Sequence, residues 1–147
     1  MMPELLKVKS IMHDITVIGH TRKIIDAVQI MAEKDIGSIL VDKDNEICGI
    51  LTERDILKKI VALGKDPSAV TVEQVMSTDL LSIDANASIL DASDMLKEHN
   101  IRRLPVKEDG RIVGMVTARN VGQQVHDYYK MVAEKFMTKL IEKMNDG

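Results

Sequence analysis

The chain has 147 residues, of which 45% are hydrophobic and 29% are charged, with a formal net charge of −3 at pH 7. This length accommodates one ordinary domain or two small, mutually dependent halves, and the composition is typical of a soluble globular protein with no run of about 18 apolar residues to span a membrane. The acidic balance and an aromatic content of only 2% argue against nucleic acid as the main partner.

The first predicted element is a short apolar strand around Ile15 to Ile18. A helix follows, with apolar residues at Ile24, Ala27, Val28 and Met31, a spacing typical of one buried face. Two apolar runs, SILV and ICGIL, then flank an Asp-Asn turn and predict a β-hairpin. A second helix begins at Thr52 and ends at Gly64.

The same order of elements recurs in the second half of the chain. Gly49 and Gly114 stand 65 positions apart, whereas Met12 and Met76 stand 64 apart, so one residue was gained or lost near Ile15 to Gly19. The second copy has a predicted strand around Leu80 to Ile83, a hairpin with an Asp-Gly turn, and helix positions at Ile89, Ala92, Met95 and Leu96.

The predicted fold is therefore α/β (α+β), with two β-α-β-β-α repeats related by a pseudo-twofold axis and a C-terminal helix. We place repeat 1 at 8–64, repeat 2 at 72–121 and the terminal helix at 122–147. One half alone has fewer than about 60 residues and is marginally stable, so we expect the halves to share a core. Clefts between them are natural small-molecule sites.

Each repeat opens with V-x-x-[IV]-M and closes with an apolar stretch that ends in a shared turn, GILTERD at 49–55 and GMVTARN at 114–120. With the LPV strand at 104–106, these motifs resemble cystathionine-β-synthase (CBS) domains, and the pair resembles a Bateman module over about Val8 to Val121. The resemblance implies a regulatory protein, not an enzyme, that binds adenosine nucleotides or adenosyl compounds between its repeats.

The closing turns carry the residues expected to bind such a ligand. Asp55 can accept hydrogen bonds from two ribose hydroxyls, and Thr52 can cap the helix or direct its hydroxyl at a phosphate. Thr117 repeats Thr52, but Asn120 carries no charge, so we expect a weaker second site. Taken alone, each turn is better explained as a helix cap. The repetition and the preceding glycine, which lets a ligand approach the backbone, favour the binding hypothesis.

The resemblance implies further contacts. Family members take a Thr or Ser from the first strand of the opposite repeat to the adenine edge, a position that Ser82 matches and that Thr16 or Val17 would occupy in the first copy. Arg102 and Arg103 precede the LPV strand, where relatives that bind charged nucleotides often place a basic residue against phosphate. A solvated strand edge explains the two arginines equally well.

No catalytic constellation is present, so we do not expect an enzyme or a cofactor other than the regulatory nucleotide. The single cysteine, Cys48, excludes a disulfide framework and is expected to be a small core residue. The histidines His13, His20, His99 and His126 lack the spacing of metal ligands, so we expect them to lie at the surface and expect no metal site. With no secretory signal at the start, we expect a cytoplasmic protein with no membrane partner.

Beyond Gly122 the chain continues with apolar residues spaced by three or four, at Val121, Val125, Tyr128, Val132, Phe136, Leu140 and Met144. Such a stripe packs either on its own module or on a partner subunit. Because Bateman modules commonly pair, we expect a homodimer.

The leading hypothesis is a stand-alone sensor that binds AMP, ADP or ATP and signals through the dimer to an unidentified effector protein. The alternatives are an interaction module without nucleotide and a nucleic-acid-binding CBS protein. Ribose recognition is common to all adenosyl compounds, so S-adenosylmethionine and NAD stay open as ligands.

Overall fold

The structure is a computed structural model that describes residues 6–146. These residues form two compact units. One unit is Asp14–Leu81, and the other combines residues 6–13 with residues 82–146. Within the described residues, no helix is both long enough and apolar enough to cross a membrane.

The unit Asp14–Leu81 contains a three-stranded sheet in the order β1-β2-β3, with β1 parallel to β2 and β2 antiparallel to β3. Asp44 and Asn45, between β2 and β3, have φ angles of 53° and 65°, as the predicted hairpin turn requires. Its elements are β1 (Val17–Gly19), α1 (Ile24–Lys34), β2 (Ser38–Lys43), β3 (Glu46–Thr52), α2 (Glu53–Ile56), a π-helical turn (Leu57–Val61) and α3 (Val72–Val75).

The core of this unit lies between the sheet and the helices. Ile24, Ala27 and Met31, on the predicted face of α1, are all buried. They pack with residues of all three strands, with Ile60 of the π-helical turn, and with both valines of α3. The helical spacing therefore predicted the buried face of α1 correctly, because one side of an amphipathic helix must cover the sheet.

The other unit repeats this architecture, with a sheet in the order β4-β5-β6. Asp109 and Gly110, in its hairpin turn, have φ angles of 51° and 77°. From Ser82 onward, its elements are β4 (Ile83–Asp84), α4 (Ile89–Glu98), β5 (Arg103–Glu108), β6 (Arg111–Thr117) and α5 (Ala118–Asp146). The predicted β-α-β-β-α order is thus confirmed in both halves.

Four elements differ from the prediction in their bounds or in their form. The first strand of each repeat begins later in the chain and is short, at three residues in β1 and two in β4. The helix after Thr52 widens into a π-helical turn, because Ala62 and Lys65 donate backbone hydrogen bonds to carbonyls five residues earlier, at 2.9 and 3.0 Å. The last helix of the second repeat and the C-terminal stripe form one continuous helix, α5.

The opening segments, residues 8–12 and 72–76, each fold onto the unit that holds the other repeat's sheet. Val8 donates a backbone hydrogen bond to Ala87 at 2.9 Å, and His13 pairs with Met115 of β6. In the other unit, Ser77 pairs with Ile50 of β3. The compact units therefore differ from the repeats read along the sequence, because the opening segment of each repeat, together with the residue that follows it, packs on the sheet of the other repeat.

Candidate functional site

The turn after β3 is built as a capping box. The Thr52 hydroxyl oxygen accepts a hydrogen bond from the Asp55 N–H at 3.2 Å, and Asp55 Oδ2 accepts from the Thr52 N–H at 3.0 Å. Asp55 Oδ2 also accepts the Thr52 hydroxyl proton at 3.0 Å. The hydroxyl of Thr52 is therefore engaged as donor and as acceptor, and it reaches a ligand as a donor only by releasing Asp55.

The second oxygen of Asp55 faces a lysine that sequence reasoning missed. Lys59 Nζ lies 3.3 Å from Asp55 Oδ1 and donates to the Val75 carbonyl at 2.9 Å. The Asp55 side chain is 16% exposed and that of Lys59 is 47% exposed. An acid and a base four residues apart on a helix are a recognised pairing signal, so the spacing of Asp55 and Lys59 in the sequence contained this clue.

The turn after β6 has the same hydrogen-bond pattern. The Thr117 hydroxyl accepts from the Asn120 N–H at 3.1 Å, and Asn120 Oδ1 accepts from the Thr117 hydroxyl and N–H at 2.6 and 3.3 Å. Because a backbone N–H can only donate, the side-chain atom that faces it must be the amide oxygen of Asn120.

The two turns consequently present different chemistry beyond the cap. Asp55 retains Oδ1, an anionic acceptor, whereas Asn120 retains an NH₂ group that can only donate. The position equivalent to Lys59 is Gln124, 65 residues later, so the second turn has no matching cation. Vicinal ribose hydroxyls that donate two hydrogen bonds therefore match the Asp55 turn and not the Asn120 turn.

The strand register resolves the choice between Thr16 and Val17. Ile18 pairs with Val41 in the first sheet, and Ile83 pairs with Val106 in the second, each pair offset by 65. Ser82, directly before Ile83, therefore corresponds to Val17. The Thr16 carbonyl is bonded to the Leu40 N–H at 2.9 Å, and the first copy has no hydroxyl at the Ser82 position.

The predicted residues of each unit lie at one end of the strands of its sheet. In the first sheet, β1 and β2 begin at this end and β3 finishes there, and Ser38 pairs with Thr52. In the second sheet, Arg103 pairs with Thr117 at the corresponding end of the strands. Arg102 is exposed, and its carbonyl accepts the first N–H of α5, from Ala118, at 2.7 Å.

The glycines that precede the turns are explained by packing. A Cβ atom at Gly49 would lie 2.5 Å from Met76 Sδ, and one at Gly114 would lie 2.5 Å from Met12 Sδ. The methionine that ends each opening segment therefore occupies the space that a larger residue would need. The close neighbour of each glycine is this side chain, so packing alone accounts for the glycine, and the approach of a ligand to it stays a prediction.

A separate open groove of 330 Å³ lies beside the π-helical turn, where Lys59, Lys65, Gln74 and Val75 contribute to its lining. None of the predicted ligand residues lines it. Among residues 6–146, no group of three or more His, Cys, Asp or Glu side chains could hold a metal ion. Cys48 is a half-buried free thiol beside the core of the first unit.

The two copies of β-α-β-β-α, each closed by a capped helix start, define a tandem-repeat α/β protein. The CBS domain family matches the chain twice, at residues 8–62 and 72–123. The chain belongs to the CBS-domain family, as its motifs predicted.

Related proteins match over most of their length. Hypoxic response protein 1 of Mycobacterium tuberculosis is 34% identical over 115 residues, which cover 78% of this chain and 80% of that protein. A solved structure of this relative, with two coordinated zinc ions, has a TM-score of 0.70 to the present fold, over 80% of this chain and 97% of that one.

Two further solved structures have the same fold. A putative signal-transduction protein with CBS domains from Burkholderia ambifaria is 30% identical, with a TM-score of 0.73 over 82% of this chain and 88% of that one. A hexameric CBS-CP12 protein from bloom-forming cyanobacteria is 26% identical, with a TM-score of 0.74 over 82% of this chain and 72% of that one. The structural neighbours are thus CBS-domain pair proteins, and the one from Burkholderia ambifaria is described as a signal-transduction protein.

Proposed function

We propose that this protein is a regulatory CBS-pair protein that binds an adenosine nucleotide, AMP, ADP or ATP, through the ribose, with Asp55 as the principal acceptor. The observation that carries the proposal is the second carboxylate oxygen of Asp55, Oδ1, which the cap does not use. One carboxylate oxygen holds the cap, and the other faces only a half-exposed lysine ammonium. The carboxylate is thereby oriented before a ligand arrives, with one acceptor oxygen left to bind it.

Lys59 gives this site a second property. Its ammonium bridges Asp55 Oδ1 and the Val75 carbonyl, and Val75 belongs to an opening segment. A ribose hydroxyl that donates to Oδ1 competes with Lys59 for this oxygen, so ligand binding would alter the lysine's hold on residues 72–76. This contact is the proposed route by which nucleotide occupancy changes the conformation that an effector protein or a second copy of the chain detects.

The contribution of the second turn is expected to differ. An Asn120 amide can donate to a ribose oxygen or a phosphate but cannot accept from ribose hydroxyls while its oxygen caps α5. Arg102 and Arg103 lie at the start of β5, beside Thr117 at the end of β6. They are proposed as phosphate contacts, since guanidinium groups bind phosphate in a bidentate manner. Ser82 is proposed as the contact to the adenine edge.

The test begins with native mass spectrometry of protein purified without added nucleotide, followed by calorimetric titration with AMP, ADP, ATP, NAD and S-adenosylmethionine. Binding by at least one adenosine nucleotide, abolished or strongly weakened in Asp55→Asn, is the expected result. Asn120→Asp is the matched variant, because it gives the second turn the carboxylate of the first. If no ribonucleotide binds at millimolar concentration, the proposal fails. Salt-sensitive binding to polynucleotides would instead favour a nucleic-acid-binding protein.

A further inference from the structure

The distal part of α5 carries a continuous apolar face that its own chain leaves uncovered. Val121 is the buried residue of this helix. Further along, seven large apolar side chains are at least 42% exposed, with Met144, Tyr129 and Phe136 at 72%, 71% and 66%. The other four are Val132, Met137, Leu140 and Ile141.

These seven residues, which we name the α5 face, follow the spacing of one side of a helix. Tyr129, Val132, Phe136, Leu140 and Met144 follow one another at intervals of three or four, and Met137 and Ile141 widen this stripe to about half of the helix circumference. Glu134, Lys135 and Glu142 lie outside the face, whereas Lys143 lies on it. From Tyr129 to Met144 the face spans about 22 Å of helix axis. Seven such side chains expose on the order of several hundred Å², close to the roughly 800 Å² that each partner contributes to a standard interface.

We propose that the α5 face binds the α5 face of a second copy of this chain in an antiparallel pair centred on Phe136. Residues seven apart lie within about 20° of one line along a helix, so Tyr129, Phe136 and Lys143 share such a line. Antiparallel pairing about Phe136 places Lys143 of each copy over the Tyr129 ring of the other, a favourable cation–π contact. Parallel pairing in register would instead bring the two Lys143 ammonium groups together.

Helix orientation favours the same arrangement, because the macrodipoles of antiparallel neighbours oppose each other. Around the line, Val132, Leu140 and Met144 supply aliphatic and thioether surface on both sides of Phe136. A two-fold axis through Phe136 lets this one face serve both copies, as a closed dimer requires. This interface does not involve the Asp55 turn, so the proposed α5 pairing can be tested independently of nucleotide binding.

The first test is light scattering after size-exclusion chromatography of the full chain across a dilution series. Phe136→Asp places two charges at the centre of the pair and should raise the dissociation constant by roughly 100-fold or more. Thr138→Asp is the matched control, since Thr138 is exposed two residues further on, on the opposite side of the helix, and its hydroxyl donates to the Glu134 carbonyl of the same helix at 3.0 Å. This control should associate like the unsubstituted chain.

Disulfide trapping tests the orientation. In a Cys48→Ser background that also carries Val132→Cys and Leu140→Cys, four residues on either side of Phe136, oxidation should link residue 132 of one copy to residue 140 of the other. Links of 132 to 132 and 140 to 140 would overturn the antiparallel pairing. Circular dichroism of each variant shows whether a change in association is due to loss of folding.

Two other results would overturn the proposal. Association that Phe136→Asp leaves unchanged would locate the interface elsewhere. A chain that is monomeric at all concentrations but binds vesicles of phosphatidylglycerol and phosphatidylcholine through the α5 face would assign the face to a lipid surface.

Discussion

At the scale of single residues, one carboxylate serves two purposes in the first closing turn. Asp55 caps α2 through Oδ2 and leaves Oδ1 toward Lys59. The second turn shows that asparagine supports the same cap, since Asn120 accepts from the Thr117 N–H and hydroxyl. Asp55→Asn therefore separates the capping role from the proposed binding role.

We expect Asp55→Asn to retain the cap and to lose nucleotide affinity. The salt bridge of Asp55 with the half-exposed Lys59 contributes at most about 1 kcal/mol, so the free energy of unfolding should change little. Loss of a charge-assisted acceptor should weaken binding by roughly tenfold to a hundredfold. Urea denaturation and calorimetry measure the two effects. A variant that unfolds easily but binds normally would show that Asp55 is only a cap.

The Asp55 site should also discriminate between ribose and 2′-deoxyribose. A 2′-deoxynucleotide cannot donate the second hydroxyl hydrogen bond to the carboxylate, which should cost about 1.5–3 kcal/mol. Calorimetric titration of the same protein with ATP and 2′-dATP tests this expectation. Equal affinities would exclude recognition of the ribose through Asp55.

At the scale of elements, the methionine of each opening segment packs against the glycine that precedes a closing turn. Gly49 contacts Met76, and Ser77 pairs with Ile50 directly beyond it. The same arrangement joins Gly114 to Met12 and Met115 to His13. The methionine and the glycine that define the two ends of the family motif are thus one packing contact, made between different repeats of the sequence.

Gly49→Ala should lower the free energy of unfolding by about 1–3 kcal/mol, because the added methyl group displaces Met76. In the background of Met76→Ala, the same substitution should cost less, since the space is already vacated. A double-mutant cycle by urea denaturation measures this coupling. Additive effects of the two substitutions would mean that the glycine serves another purpose.

At the scale of the whole molecule, the repeats are similar in fold and different in chemistry. The first closing turn offers an acceptor with a neighbouring lysine, and the second offers an amide donor. A ligand that binds both turns would therefore meet two unequal sites.

We expect Asp55→Ala to weaken the stronger site by more than Asn120→Ala weakens the other, because only the first substitution removes a charged acceptor. Calorimetry of both variants with the same nucleotide makes the comparison. Two identical sites in the unsubstituted protein, or a greater loss from Asn120→Ala, would contradict the assignment.

Truncation after Gln124 should leave both compact units folded and weaken association. The deletion removes the α5 face but retains Val121, which is buried, and all the proposed ligand contacts. Because the deleted apolar side chains are largely exposed in the single chain, their removal uncovers little core. Circular dichroism and light scattering on dilution follow the two effects. Loss of folding would show that the helix belongs to the core of its own unit.

The sequence by itself determined the repeated element order, the hairpin turns, the buried faces of α1 and α4, and the capped helix starts. These features depend on local periodicity and on residues a few positions apart, such as Asn45 in a left-handed turn or Thr52 three residues before Asp55. The proposed ligand contacts were selected from the same short motifs and stay predictions.

Tertiary structure alone decided which distant residues meet. The exchange of opening segments, the contact of Met76 with Gly49 and the bond of Lys59 to Val75 join positions that no local period relates. Strand register assigned Val17 to the Ser82 position, because a one-residue slip in the aligned sequence leaves two choices that only hydrogen-bonded pairing distinguishes. The wide α5 face likewise became visible only when burial showed which apolar residues the chain itself does not cover, since periodicity reports a helix face but not what packs against it.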